Sequence, residues 1–315
     1  MGQSNRPFTR RIDKLLHTKL MPPRPHTAII PRDDLLRRLD TGLTRKLTLV
    51  SAPTGFGKTT LASMWIASRP FRSAWVTLDS NDNDPTRFWT YFVSALHSQD
   101  PTLGKTTLSL LAAPQPASSQ TLLSPLLNDM SGSKDKTVLV LDEFQNINSP
   151  EINAGLAFLI QQLPESFHLV LLSRSEPALP LGIMRARAEL MDITVQDLKF
   201  TELETQAFLH EALSAELPPA MVKLLHERTE GWPAGLQLAA LALQERNSTQ
   251  AEKVIQTFSG SHHYISDYLI TEVFSFQPEH IQDFLLRTCF LNRLTGSLCD
   301  TLTGSKFELS HSGTV

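Results

Sequence analysis

The sequence is poor in cysteine, in long apolar runs and in net charge, and each shortage excludes a class of protein. Its two cysteines, Cys289 and Cys299, are too few for a disulfide framework and lack metal-ligand spacing, so free thiols are expected. No apolar run approaches the roughly 18 residues that cross a bilayer, and the first residues lack the apolar segment of a signal peptide. A formal charge of -3 excludes an overall basic surface for nucleic acid. We expect a cytoplasmic globular protein that contacts no membrane.

Four stretches of the chain differ in pattern. Residues 1–32 contain a proline-rich run and are predicted to form an extended N-terminal arm that runs over a surface. Residues 33–198 alternate short apolar runs with helical periodicity, which is typical of a parallel α/β sheet with helices on both faces. Residues 199–260 begin with a capping box and show only helical periodicity, which predicts a helical subdomain. Residues 261–315 contain further helical segments and are predicted to form an incomplete winged-helix-like subdomain.

The predicted sheet is read from short apolar runs that are partly β-branched. The runs are Leu47–Ser51, Ala74–Leu78, Val138–Leu141 and Leu169–Leu172. Helical patterns separate them, and parallel strands need such crossover connections. The segment from about Gly104 to Gln120, rich in small and hydroxyl residues, is predicted to be a long connection or a loosely held helix.

A glycine-rich loop follows the first predicted strand and leads into a helix, which is the context of a phosphate-binding loop. Its residues are Ala52, Pro53, Thr54, Gly55, Phe56, Gly57, Lys58, Thr59 and Thr60. Backbone N–H groups of such a loop surround phosphate oxygens, Lys58 would reach the β- and γ-phosphates, and the Thr59 hydroxyl would bind Mg²⁺. The strict pattern has glycine where this chain has Ala52, which a negative φ tolerates. The pattern predicts a P-loop NTPase that binds ATP or ADP with Mg²⁺, although short glycine-lysine-threonine strings also arise by chance.

Two further charged groups follow predicted strands at the same edge of the sheet. Asp142 would hold Mg²⁺, and Glu143 would act as the general base or position the attacking water. Arg174 is the candidate sensor of the γ-phosphate. The alternatives are a solvated carboxylate pair at the end of a buried strand and an ordinary surface arginine.

The motifs TKLMPPRP, LVSAPTGFGKTTL, WVTLDSNDNDPTRFWTYF, VLVLDEFQNI, LVLLSRSEPALPLGIMRARAEL, TEGWPAGLQLAALAL and HHYISDYLITEV occur in this order. Together they resemble the N-terminal ATPase module of MalT-like regulators of the LuxR family. That module is one of the signal-transduction ATPases with numerous domains (STAND, or AP-ATPases). The resemblance runs from about Thr18 to Gly304 and rests on order and spacing rather than on one motif.

The resemblance implies a switch in signal transduction and transcription regulation: ADP holds a closed state, ATP favours an open, self-associating state, and slow hydrolysis resets it. It also implies that Ile30 and Arg32 lie beside the adenine and that Pro233 contacts the nucleotide. His262 is a weaker candidate for contact with the diphosphate. Pro233 could instead simply begin a helix, and His262 could be an exposed loop residue.

The chain departs from the family pattern in two places. Asp142-Glu143 replaces a pair of aspartates, which changes the reach of one carboxylate and leaves the hydrolysis rate open. After Gly304 the resemblance ends, and we expect the chain to lack the sensor repeats and helix-turn-helix, as a split gene or shortened product would.

Three functions fit these patterns. The first is a nucleotide-controlled switch with weak Mg²⁺-dependent ATPase activity. The second is a nucleotide-binding interaction module without turnover that associates with full-length relatives. The third is DNA binding through the winged-helix-like block, where Arg287, Arg293 and Lys306 are outnumbered by acidic residues, so we expect no direct nucleic-acid binding.

Overall fold

The chain folds as two units. The computed structural model describes residues 15–24, 30–114, 118–133, 135–244, 255, 263–291 and 293–304. The backbone divides into Met1–Gln244 and Glu245–Val315. Within the described residues, no helix is both long and apolar enough to cross a membrane.

A five-stranded parallel sheet lies at the centre of the first unit. The strands are β1 Leu47–Ser51, β2 Arg72–Thr77, β3 Thr137–Asp142, β4 Phe167–Ser173 and β5 Leu190–Thr194. They are ordered β2-β3-β4-β1-β5, and each neighbouring pair is parallel. The predicted α/β fold class is confirmed, and the carboxyl ends of β1, β3 and β4 lie side by side.

Helices cover both faces of the sheet and create two apolar cores. They are α1 Asp33–Gly42, α2 Lys58–Ala67, α3 Pro85–Gln99, α4 Lys105–Leu111, α5 Ser119–Ser131, α6 Pro150–Gln162, α7 Leu181–Ala186 and α8 Val195–Leu198. Side chains alternate between the cores along β3: Leu139 and Leu141 join one, and Val138 and Val140 join the other. Because both faces are covered, every residue of β3 and β4 is buried.

Three helices follow the sheet, as the periodicity after residue 198 predicts. They are α9 Glu202–Leu213, α10 Pro219–Thr229 and α11 Pro233–Leu243. The predicted capping box is confirmed: the Glu204 N–H donates to the Thr201 hydroxyl at 3.2 Å, and the Thr201 N–H donates to the Glu204 carboxylate at 2.8 Å.

Two details of the first unit differ from the predictions. The arm is not extended throughout, since His17–Leu20 is a 3₁₀ helix whose Lys19 is buried between Asp79 and Asp82. The segment from about Gly104 to Gln120 contains the helix α4, in agreement with the helical alternative. The second difference is the strand β5, which was not predicted. Its sequence, LMDIT, carries Asp192 in the middle, so its apolar run is too short to read as a buried strand.

The second unit is helical in its described part. It contains α12 His263–Glu272, α13 Glu279–Thr288 and α14 Gly296–Thr303. Within residues 261–315 the helical periodicity of the sequence predicts helices at Tyr264–Phe274, Glu279–Arg287 and Leu294–Leu302, and the observed helices agree with these ranges within a few residues. His262 lies outside the described residues.

Candidate functional site

The glycine-rich loop joins the carboxyl end of β1 to the start of α2. Gly55 and Gly57 have φ angles of 79° and 77°, the left-handed region that glycine enters without strain. A Cβ built on Gly57 would meet no atom within 4 Å, so the backbone conformation rather than space requires glycine there. Ala52 does not have a positive φ, as its tolerance in the motif requires.

Lys58 begins α2 with its side chain turned back over the loop. Its ammonium donates to the carbonyl oxygens of Ala52 at 2.8 Å and Pro53 at 3.0 Å. The residue is only 7% exposed, and burial lowers the Lys58 pKa, with the charges of Glu143 and Asp142 opposing this effect. In the described part of the chain, no carboxylate lies within ion-pair distance of this ammonium. A buried cation aimed at the loop fits a phosphate group.

Thr59 and Asp142 form the part of the site that could hold a metal ion. The Thr59 hydroxyl lies 3.1 Å from both carboxylate oxygens of Asp142. Burial, followed by the charge of Glu143, raises the pKa of Asp142 to about 6. A hydroxyl and one carboxylate are oxygen donors that suit Mg²⁺, which takes few protein ligands beside phosphate oxygens and water. Among the described residues, no group of three or more histidine, cysteine or acidic side chains is arranged so that it could hold a metal ion.

Glu143 lies directly after β3, beside the end of β4. Its φ of 56° is unusual for a residue other than glycine, and its N–H donates to the Asp142 carboxylate at 2.9 Å. The Glu143 carboxylate accepts from the Gln145 amide and, at 3.4 Å, from the Arg174 guanidinium. The structure therefore brings Lys58, Asp142, Glu143 and Arg174 together at one edge of the sheet.

An apolar cavity of about 290 Å³ lies beside the loop, between α2 and the helices that follow the sheet. Its volume is at the lower end of the range of small-molecule sites. It is lined by Ile30, Arg32, Gly55, Phe56, Gly57, Thr60, Leu61, Met64, Phe200, Phe208, Pro233, Ala234 and Gln237. Ile30, Arg32 and Pro233, which the resemblance places at the nucleotide, all line this cavity. The weaker candidate, His262, lies outside the described residues.

The Arg32 guanidinium makes its hydrogen bonds with backbone and side-chain groups of neighbouring residues. It donates to the carbonyl oxygens of Asp197, Leu198 and Lys199 at 3.1, 2.7 and 3.0 Å. It also pairs with the Glu204 carboxylate at 2.9 Å and lies over the Phe200 ring at 5.2 Å. Arg32 thus links the end of the arm to the segment that leads into α9.

The turn Gly231-Trp232-Pro233 contacts the phosphate loop directly. The Trp232 indole N–H donates to the Thr54 carbonyl at 3.3 Å, and the Ala234 N–H donates to the Gly55 carbonyl at 3.1 Å. Pro233 is the first residue of α11, where its missing N–H costs no helical hydrogen bond. Both interpretations of Pro233 are therefore compatible, since it begins a helix and lines the cavity.

The tetrapeptide GKTT occurs a second time, at residues 104–107. Gly104 has a φ of 74° and precedes α4, so the local backbone resembles that of Gly57 before α2. Lys105 is exposed, however, and α4 has only 7 residues. No strand ends at this second copy, so it lacks the acidic edge that accompanies Lys58.

Several residues of the site were not among the sequence predictions. Phe200, Phe208 and Gln237 reach the cavity only because α9 and α11 fold back onto the loop. Gln145 has a weak signal, as a polar residue two positions after the predicted base. No sequence pattern predicts the contacts of Gln145, because they depend on the backbone turn at Glu143.

These features define a domain with the P-loop NTPase fold. The model of an AAA domain matches residues 41–175. A Walker-type ATPase of Pyrococcus abyssi is 16% identical with a TM-score of 0.53, covering 89% of this chain and 86% of that one. A STAND protein with a tetratricopeptide repeat sensor from Pyrococcus horikoshii is 14% identical with a TM-score of 0.51, covering 91% and 38%. At these identities the two structures support the fold alone.

The sequence comparisons are more specific. The model of the MalT winged helix domain matches residues 270–310. The HTH-type transcriptional regulator MalT of Vibrio cholerae is 30% identical over 283 residues, 90% of this chain and 31% of the regulator. The MalT of Yersinia pestis is 32% identical over 291 residues, 92% of this chain and 32% of the regulator. The chain spans about a third of the length of these relatives, and the predicted resemblance to MalT-like regulators is confirmed.

Proposed function

We propose that this chain is the nucleotide-binding switch module of a MalT-like transcription regulator, binding ATP or ADP with Mg²⁺ and hydrolysing ATP slowly. The observation that carries the proposal is the arrangement around Lys58. Its buried ammonium, the Thr59–Asp142 pair and Glu143 lie at one sheet edge, beside an apolar cavity suited to a nucleobase. Cytoplasmic location stays a prediction, and self-association stays one that follows from the resemblance to MalT-like regulators.

The proposed chemistry assigns one task to each group. Lys58 and the loop N–H groups bind the phosphates, while Thr59 and Asp142 would hold Mg²⁺, which supplies charge neutralisation when bound. Glu143 accepts a proton from the water whose oxygen attacks the γ-phosphorus, and the bond from that phosphorus to the bridging oxygen breaks. Arg174 is assigned to the charge on the γ-phosphate oxygens.

The switch part of the proposal rests on the turn at residues 231–233. Trp232 and Ala234 donate hydrogen bonds to carbonyl groups of the loop, so a shift of Thr54 or Gly55 on nucleotide exchange would displace the start of α11. A nucleotide drives such a change only through different affinities for the two states. We therefore expect ADP and ATP to protect the segment around Trp232 from hydrogen exchange to different extents.

The test is Lys58→Ala, with Lys105→Ala as a control in the same tetrapeptide. Binding is measured by titration with a fluorescent mant-ADP in Mg²⁺, and purified protein is denatured to identify released nucleotide. Loss of the charge-assisted contacts should weaken binding at least about tenfold in Lys58→Ala. Lys105→Ala should bind as the wild type does. Equal affinity of the two variants would contradict the proposed site.

The match to the MalT winged helix domain supports a second candidate function, DNA binding by the second unit. The charge balance there argues against it, because the described part holds five acidic residues and two arginines. The acidic residues are Asp267, Glu272, Glu279, Asp283 and Asp300, and the arginines are Arg287 and Arg293. Fluorescence anisotropy with labelled duplex DNA at two salt concentrations decides this point. Salt-dependent, sequence-selective binding would overturn our expectation of no direct nucleic-acid contact.

A further inference from the structure

We propose that Gln145 is a positioning residue that holds the Glu143 carboxylate in place for the attacking water. The inference rests on the proposed function, because it concerns the same site. Gln145 lies within the motif VLVLDEFQNI, but neither the phosphate-binding loop pattern nor the family resemblance gives its side chain a role.

The side-chain amide of Gln145 makes two hydrogen bonds, one as a donor and one as an acceptor. Its nitrogen donates to the Oε2 atom of Glu143. Its carbonyl oxygen accepts the backbone N–H of Arg174 at 3.1 Å. One side chain therefore joins the candidate base after β3 to the backbone of the candidate phosphate sensor after β4.

The pattern of contacts leaves one oxygen of Glu143 available. Gln145 and Arg174 both donate to Oε2, and in the described residues no group donates to Oε1. A general base needs a lone pair that can receive a proton while the rest of the carboxylate is held still. The Gln145 contact satisfies both conditions at once.

The turn that carries Gln145 is tied to the strands on either side of β3. Phe144–Asn146 is a 3₁₀ helix with Phe144 buried at its start. The Asn146 amide donates to the Leu78 carbonyl after β2 at 3.1 Å, whereas Gln145 reaches β4. Glu143, in its left-handed conformation, is thus oriented by a turn that is anchored at both ends.

The chemistry of position 145 predicts which replacements can work. Leucine removes both contacts at similar size. Glutamate can still accept the Arg174 N–H but cannot donate to Glu143, and it places a second negative charge there. Comparing Gln145→Leu with Gln145→Glu therefore separates positioning of Glu143 from bracing of the Arg174 backbone.

The experiment measures ATP turnover at saturating Mg-ATP and mant-ADP affinity in both variants, with exposed Gln162→Leu as the matched control. We expect both Gln145 variants to lower kcat at least about tenfold while the Kd for mant-ADP stays within about threefold, because the loss falls on a transition-state contact. A Gln145→Glu protein with wild-type kcat would overturn the inference and leave only the backbone brace.

A readout without nucleotide keeps the inference testable if turnover itself is not found. The lowering of the urea midpoint by Gln145→Leu is measured in the wild type and in Glu143→Ala. We expect the effect to shrink when Glu143 is absent, and an equal effect in both backgrounds would overturn the contact. A wild type that binds mant-ADP without turnover would refute only the hydrolysis part of the proposed function, and the urea cycle would then decide about Gln145.

Discussion

Replacing Arg32 by alanine separates a structural role from a nucleotide contact. Arg32 lines the cavity, yet its guanidinium is bound by three backbone carbonyls and by Glu204. The alanine variant would leave these acceptors without their donor, in a place where the Arg32 side chain is 11% and Glu204 24% exposed.

The size of the effect follows from this exposure. Breaking a buried ion pair by removing one partner costs about 3–5 kcal/mol. Water can reach part of the Glu204 carboxylate, so we expect the lower end, about 3 kcal/mol of the free energy of unfolding. For a unit of this size, that loss corresponds to a urea midpoint about 1 M lower. Arg32→Lys keeps the charge but cannot serve four acceptors, so it should lie between the alanine variant and the wild type.

The assay combines urea unfolding without nucleotide and mant-ADP titration of the folded variant. We expect a strong loss of stability and an affinity within about threefold of the wild type, because the guanidinium donors are already used. A variant as stable as the wild type that no longer binds mant-ADP would refute this reasoning. Arg32 would then act on the adenine, as the family resemblance implies.

Two other predictions concern the core and the turn at residue 231. Burial lowers the pKa of His168 from 6.5 to about 4, so the unfolded chain binds the proton more readily and stability falls as pH drops from about 6.5 towards 4. The wild type should lose about 3 kcal/mol more than His168→Gln across this window, and parallel pH curves in urea unfolding would contradict the assignment. Gly231 has a φ of 70°, and a Cβ there would lie 2.3 Å from the Phe200 carbonyl oxygen. Gly231→Ala should therefore lose at least about 2 kcal/mol of unfolding free energy and weaken mant-ADP binding, whereas Gly182→Ala, with open space around it, should do neither.

The sequence predicted those parts of the fold whose signals are local. Strand β1 has the predicted bounds, and the capping box at Thr201 begins α9 as expected. The apolar runs of β2 to β4 are buried on both faces, so they consist mainly of apolar residues, and this composition allows the strands to be recognised in the sequence. Strand β5 lies at an edge of the described sheet, beside β1, and carries Asp192, so its pattern is too mixed to separate from a loop.

The candidate site likewise has a part that the sequence predicts and a part that it does not. The loop and the acidic edge follow from chain order, because carboxyl ends of neighbouring parallel strands must meet. The partners of Arg32 and the contacts of Gln145 depend on how distant segments pack, which no local periodicity encodes. The shape of the turn at Glu143, with a φ of 56° in a residue other than glycine, was equally inaccessible.

The second GKTT has a consequence for protein engineering. Transferring the tetrapeptide GKTT to another protein is not enough to create a phosphate site. Even with the left-handed glycine and the helix start that follow it, the result would be an exposed lysine at the start of a surface helix, as at Lys105. The transferable unit is longer and discontinuous: a buried strand before the loop and a neighbouring strand that ends in a carboxylate. To build a nucleotide switch into a new scaffold, a suitable sheet edge must therefore be chosen first, and the sequence of the loop is designed afterwards.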